Sequence, residues 1–293
     1  MRSAFLIGLV TAFAIAGGGV QAAPSAGLPA AVYADPAPDP AHPARMVVLH
    51  IPSHGVNING VAYLAAGAGQ HPTVVLFHGL PGNEKNLDLA QAIRRAGWNV
   101  ITLNYRGSWG SPGAFRFEQN FEDADAALAF VRDPANVTAL GIDVGRIVII
   151  GHSMGGWVVV NTAAHDKALA GLATISAGDL SRAAAAPLPV RVKLMADNME
   201  ALAGVTARSM ADDAGAVAGN YSFAKAAPAL VAVPYLALTS DDGLAADTDS
   251  LVAAIRANGG TRITTVHMPT DHSWSDRRIA LEAAVITWLQ GLK

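Results

Sequence analysis

Ser153 sits in the hexapeptide Gly151-His152-Ser153-Met154-Gly155-Gly156, directly after the apolar run Arg146 to Ile150. A serine in that setting suits nucleophilic chemistry. On a tight strand-to-helix turn its hydroxyl projects toward solvent, and only small neighbours let the backbone double back. The string alone has modest specificity, since a loop serine among incidental glycines also satisfies it. The buried strand before it is the more selective feature. A serine hydroxyl attacks a carbonyl only when a base removes its proton and a carboxylate orients that base, so the reading requires two further residues.

Of the nine histidines, most are poorly placed to be the base. His42, His50, His54 and His71 precede most of the strands, His78 ends one, His165 lies in the helix after Ser153, and His267 belongs to the last strand. His152 adjoins the serine and is expected to point away from the hydroxyl, which leaves it packing or hydrogen bonding. His272, in Pro269-Thr270-Asp271-His272-Ser273-Trp274, falls in a loop between the last strand and the last helix, from which an imidazole can reach across to Ser153.

For the carboxylate, the run Tyr235 to Leu238 leads into Thr239-Ser240-Asp241-Asp242-Gly243-Leu244. Asp242 is favoured, because Leu244 two residues on returns the chain to the core. Asp241 stays open as the alternative acid, as does a helix-capping role for both. Asp247 and Asp249 read as a helix cap and a helix face.

Acyl transfer also needs donors for a developing oxyanion, and backbone amides in a fixed turn supply them best. The run Thr73 to Phe77 ends in His78-Gly79-Leu80-Pro81-Gly82, which can aim the Leu80 amide at the site; the Met154 amide opens the helix after the serine. An ordinary strand-ending turn at His78-Gly79 is the competing interpretation. The segment Tyr105 to Gly113 follows the next strand and is expected to wall one side of the cleft. Trp109 and Phe115 are either substrate contacts or packing.

The elements that must position these residues are visible as periodicity. Met46 to Ile51 and Val61 to Leu64 read as an antiparallel pair. Thr73 to Phe77, Asn99 to Leu103, Arg146 to Ile150, Gly171 to Ser176, Tyr235 to Leu238 and Thr261 to His267 read as strands buried on both faces. Apolar residues at i, i+3 and i+4 mark helices over Asn86 to Ala96, Asn120 to Val131, Met154 to Ala164, Asp247 to Asn258 and Asp276 to Leu292. Strands alternating with helices imply parallel crossover units in a doubly wound, mostly parallel sheet of eight strands. Residues 180–233 break the alternation. They are rich in Ala, Met and aromatic residues rather than Gly and Ser, which favours a helical cap over the carboxyl edge of the sheet.

Composition excludes several classes. A formal charge of −3 leaves no basic stripe for nucleic acid. The histidines lack ligand spacing, so neither a metal nor another cofactor is expected. Met1-Arg2, the apolar stretch from Ala4 to Ala16 and the small-x-small site Val20-Gln21-Ala22 read as a signal peptide over 1–22, and hence as export to the periplasm or beyond. The apolar stretch is shorter than the roughly 20 residues that span a bilayer, so no integral membrane segment is expected after cleavage. Residues 23–45 read as an extended Pro/Ala-rich leader, and 46–293, about 250 residues, as one domain with a substantial core. Oligomeric state is not legible.

The chain from Met46 to Lys293 resembles the α/β-hydrolase superfamily in these residues. It has the His-Gly turn, the Gly-His-Ser-Met-Gly-Gly elbow, the late acid and Asp271-His272-Ser273, in the order serine, acid, histidine. Its Tyr105 to Gly113 segment is similar to that of the dipeptidyl-peptidase and prolyl-oligopeptidase-like esterases, although no propeller domain precedes the hydrolase domain. The resemblance implies the α/β-hydrolase fold, a Ser153, Asp242, His272 triad, oxyanion amides from Leu80 and Met154, no metal, and an acyl-enzyme intermediate formed from a small-molecule ester. Amide or peptide hydrolysis by the same residues is the first alternative. A catalytically inert binding protein of the same fold is the second.

Overall fold

The computed structural model describes residues 27–292. The segment read as a signal peptide, together with the first residues of the leader, lies outside them.

Eight strands form one sheet: β1 (Arg45–Ser53), β2 (Val56–Leu64), β3 (His71–Phe77), β4 (Asn99–Leu103), β5 (Ile142–His152), β6 (Gly171–Ile175), β7 (Tyr235–Ser240) and β8 (Ile263–Met268). Their spatial order is β1-β2-β4-β3-β5-β6-β7-β8. β2 runs antiparallel to both neighbours, β1 and β4, and every other pairing is parallel. The helices are α1 (Leu87–Arg95), α2 (Phe117–Arg132), α3 (Pro134–Leu140), α4 (Met154–His165), α5 (Leu180–Ala184), α6 (Leu188–Ala196), α7 (Ala207–Val217), α8 (Phe223–Ala226), α9 (Ala245–Ala257) and α10 (Arg278–Gly291).

The sheet is covered on both faces, and alternate strand residues show it. Val75 and Phe77 of β3 pack with α2, α4 and the cap, while Val74 and Leu76 pack with α1 and α10. Central strands therefore read as unbroken β-branched and aliphatic runs, because neither face meets water. The 180–233 insertion holds α5 to α8 and a closing 3-10 turn, and Met195, Met210 and Phe223 anchor it to the core.

Three features depart from the sequence reading. β8 is an edge strand, and Thr264, Thr265 and His267 are exposed, so it is not buried on both faces. α3 is a helix that the apolar periodicity does not mark. Its signals are local: Asp133 accepts from the Ala135 amide at 2.9 Å, Pro134 opens the helix and Gly141 closes it at φ 62°. The leader is also packed rather than extended throughout. A 3-10 turn at Ala30–Val32 buries Ala31 against the α1 and α10 layer, and Arg95 Nε donates to the Ala31 carbonyl at 2.6 Å.

Candidate active site

β5 runs without a break into α4, and Ser153 is the single residue between them, at φ 56° and ψ −121°. Such a backbone costs a non-glycine residue on the order of 1–3 kcal/mol and persists only where its surroundings impose it. Here they do. The Ser153 amide donates to the Ile175 carbonyl at 2.9 Å, tying the turn to the end of β6. A side chain at Gly151 would begin 2.2 Å from the Gly155 carbonyl oxygen, so the doubled-back backbone leaves room for none. At Gly79 a Cβ would lie 2.8 Å from Ser153 Cβ and 3.3 Å from Oγ, which places the turn after β3 directly against the serine.

His272 stands in the loop between β8 and α10, and its Nδ1 lies 2.7 Å from Asp242 Oδ2. A carboxylate only accepts, so Nδ1 carries the hydrogen, and the neutral ring presents Nε2 as its lone pair. The Asp242 carboxyl is almost wholly covered, its side chain 3% exposed. Burial pushes its pKa up. The hydrogen bond from His272, the Leu244 amide at 2.8 Å and the Ser176 hydroxyl outweigh that, with the attraction of the imidazole whenever it is protonated, and hold it at about 2. Asp241 points elsewhere: its Oδ1 meets His267 Nε2 at 3.2 Å on the exposed side of β8.

Ser153 and His272 are joined through His152. Its Nε2 donates to the His272 backbone carbonyl at 2.9 Å, and the two rings lie 4.8 Å apart. Among the described residues no hydrogen bond links the Ser153 hydroxyl to the His272 ring; in unliganded sites such contacts are often long and tighten with substrate. Burial, and then the neighbouring His272, lowers the His152 pKa to about 4.

The turn from His78 to Gly82 supplies one candidate oxyanion donor and α4 the other. Met154 is the first residue of its helix, so its amide has no intrahelical acceptor. Leu80 borders the same cavity as Ser153 and Met154. Buried His78 holds this turn, its Nδ1 donating to the Gly79 carbonyl at 2.7 Å while burial lowers its pKa to about 4. Trp109 Nε1 donates to the Pro81 carbonyl at 2.8 Å, and Lys85 lies 4.3 Å over its ring. Trp109 therefore clamps the turn. Phe115 is packing, buried edge-to-face against Phe117 with centroids 5.2 Å apart.

Sequence reasoning passed over two supporting residues. Ser176, just beyond β6 at φ 46°, accepts from Trp274 Nε1 at 3.0 Å, lies 2.8 Å from Ser240 Oγ and contacts the Asp242 carboxyl. Trp274 is fully buried two residues after His272. Their only sequence signal is position, at the carboxyl end of a strand beside the elbow and in the His272 loop.

Residues 72–213 match a family model described as alpha/beta hydrolase fold. An uncharacterized protein of Mycobacterium tuberculosis is 29% identical over 122 residues, 41% of this chain and 42% of that protein, so the match spans less than half of the relative. Among solved structures, a thermophilic carboxylesterase cloned from a metagenomic library aligns with a TM-score of 0.62 at 23% identity, covering 86% of this chain and 91% of that one. A puromycin-hydrolyzing peptidase of Mycobacterium tuberculosis aligns at 0.63 and 17% identity, covering 86% of this chain and 39% of that one. At such identities the likeness establishes the fold, which is the α/β-hydrolase fold.

Proposed function

We propose that this member of the α/β-hydrolase superfamily is a serine hydrolase that cleaves carboxylic esters of small molecules through an acyl-enzyme. The observation that carries the reading is the Asp242-bound His272, its Nε2 lone pair free, in the loop that His152 ties to the elbow bearing Ser153. His272 takes the proton of the Ser153 hydroxyl as Oγ bonds to the ester carbonyl carbon. The tetrahedral oxyanion is met by the Leu80 and Met154 amides. When it collapses, the carbon–oxygen bond to the alcohol breaks and His272 Nε2 hands the proton to the departing oxygen. Water then attacks the acyl-enzyme, losing its proton to His272, and Ser153 recovers that proton as the acid leaves.

Fluorophosphonate labelling followed by peptide mapping tests the assignment. Label on Ser153, with loss of p-nitrophenyl ester turnover in Ser153→Ala, is the expected result. Full turnover by Ser153→Ala overturns it, and an unlabelled protein without turnover points to the inert reading. Peptide or amide hydrolysis by the same residues is the second reading, and the fold likeness to a peptidase keeps it in view. Comparing p-nitrophenyl acetate with amino-acid p-nitroanilides separates the two.

Export belongs to the same proposal. Met1-Arg2, the apolar stretch after it and the small-x-small site at Val20 to Ala22 support it. Amino-terminal sequencing of protein recovered outside the cytoplasm should start near Ala23. No helix among the described residues is long and apolar enough to cross a membrane.

A further inference from the structure

Arg278 is the first residue of α10, in the same connection from β8 that carries His272. A cation there opposes the helix dipole, so the stability of α10 does not account for it. Its side chain is only 20% exposed, and its donors are spent on two separate loops. Nη1 donates to the Ser273 carbonyl at 2.9 Å and to Asn86 Oδ1 at 3.0 Å. Nε donates to Asp88 Oδ2 at 2.7 Å and Nη2 to Asp88 Oδ1, a bidentate pair. Nη2 also lies 3.9 Å from the Glu84 carboxylate.

Those loops belong to the two halves of the site. Ser273 follows His272, so two consecutive carbonyls of the base loop are held from different directions, that of His272 by His152 and that of Ser273 by Arg278. Asn86 and Asp88 stand at the start of α1, a few residues beyond the His78 to Gly82 turn. Asn86 is buried and left-handed at φ 54°, a backbone that persists only where its surroundings hold it. Lys85 beside it lies over Trp109, which clamps the Pro81 carbonyl. A planar guanidinium fork reaches both loops at once, whereas the three donors of a lysine radiate from one point.

We infer that Arg278 is a positioning residue for acyl transfer, its guanidinium setting the His272 loop against the turn that bears the Leu80 amide, so that base and oxyanion donor address the same carbonyl. The inference rests on the proposed roles of Ser153 and His272. It calls for the geometry of the fork and not for its charge alone.

Arg278→Ala tests it, read by p-nitrophenyl butanoate kinetics and by the rate of fluorophosphonate labelling. kcat should fall by about tenfold or more with KM within about twofold, and labelling of Ser153 should slow in step, since both reactions need an aligned His272. In this variant Asp88, Asn86 and the Ser273 carbonyl, with Glu84 and Glu282 close by, are left as a guanidinium-shaped gap. Guanidinium chloride, far below the molar range that unfolds proteins, should therefore raise kcat by about threefold or more, and ammonium chloride at equal ionic strength should not. Arg278→Lys should stay within about threefold of Arg278→Ala. An unchanged kcat in Arg278→Ala overturns the inference, as do full activity of Arg278→Lys, equal restoration by ammonium, and a folded Arg278→Ala that guanidinium does not restore. Should circular dichroism show Arg278→Ala unfolded, Arg278→Met keeps the stem of the side chain and takes its place in the kinetics, where the parent kcat overturns the inference and a tenfold loss at unchanged KM supports it. A parent protein that is neither labelled nor active on any ester overturns instead the role of Ser153 on which the inference rests.

Discussion

His152 Nε2 donates to the backbone carbonyl of His272 at 2.9 Å, so the residue before the serine holds the loop that carries the imidazole. Because a carbonyl only accepts, Nε2 bears the hydrogen and Nδ1 of the neutral ring is left bare. Among the described residues, that nitrogen is buried without a partner. Elbow and loop are thus fastened directly, through a neutral histidine, rather than only through the strands beneath them.

The two adjacent acids after β7 should behave differently. Asp242→Asn removes the carboxylate that fixes the His272 tautomer, and ester turnover should fall by a factor on the order of 10³ to 10⁴. Asp241→Asn touches only the exposed contact with His267 and should leave kcat within about twofold. Steady-state kinetics on both variants decides, and comparable losses would contradict the assignment.

Much of the frame was legible because buried parallel strands write themselves as aliphatic runs. The stretches Thr73 to Phe77, Asn99 to Leu103 and Tyr235 to Leu238 fall inside β3, β4 and β7, which are covered on both faces. The sequence pattern misleads at β8, where Ile263 and Val266 suggest burial but the strand forms an edge. It is silent where a side chain's job is settled by a neighbour distant in sequence. Ser176 and Trp274 are 98 positions apart and meet only because β6 lies next to β7 and the loop after β8 folds back over their ends. Whether Asp241 or Asp242 faces His272 is likewise set by how the chain leaves β7, and not by composition.

Ser176→Ala should cost stability as well as rate. It leaves the buried Trp274 Nε1–H without its acceptor, a loss of about 1–3 kcal/mol. The Asp242 carboxyl also loses one of its contacts. Urea unfolding should register the first effect and a modest fall in kcat/KM the second. A variant as stable as the parent would show that Trp274 finds another acceptor.

Acid should destabilise the fold through two buried histidines as pH falls from 6.5 toward about 4. His78 and His152 are held neutral, with pKa values of about 4 in the folded chain against 6.5 when free. Between those values the unfolded chain takes up protons that the folded chain refuses, so stability present above pH 6.5 is lost as pH falls toward 4. Below that the two states are alike at these sites. Each histidine contributes at most about 3 kcal/mol to the drop. Unfolding free energies measured from about pH 7 down to about pH 4.5 should decline, and His152→Gln should flatten the slope; a flat profile for the parent protein would refute the idea. Asp242 adds its own loss only lower, as pH falls from 3.8 to about 2.

At Gly79 the expected effect is local. A methyl there would meet Ser153 Cβ at 2.8 Å, so either the turn after β3 or the elbow must shift. Gly79→Ala should lose ester turnover by about 10²-fold or more while far-ultraviolet circular dichroism stays unchanged. Full activity would mean that the turn has slack.

Behind the turn, a buried ion pair holds the loop that carries Trp109. Arg106 Nε donates to Asp123 Oδ1 at 2.7 Å and its amide to Oδ2 at 2.8 Å, while Ser53 Oγ reaches the same carboxylate at 2.5 Å. Arg106 also donates to the Gln119 carbonyl at 3.1 Å and pairs with Glu122. Burial drives the Asp123 pKa up against all these donors, so the carboxylate is held at a cost in desolvation. Removing one partner should therefore hurt more than removing both. Asp123→Ala is expected to lower stability by about 3–5 kcal/mol because Arg106 stays buried without its main counter-charge. The double variant Arg106→Met with Asp123→Leu should recover much of that loss, since well-packed apolar groups of similar volume replace buried ion pairs at little cost. Because Trp109 lies three residues from Arg106 and clamps the Pro81 carbonyl, Asp123→Ala should also weaken ester turnover, with KM and kcat both affected. A double-mutant cycle on unfolding free energy, with kinetics alongside, separates packing from charge, and strictly additive losses would show that the pair does not act as a unit.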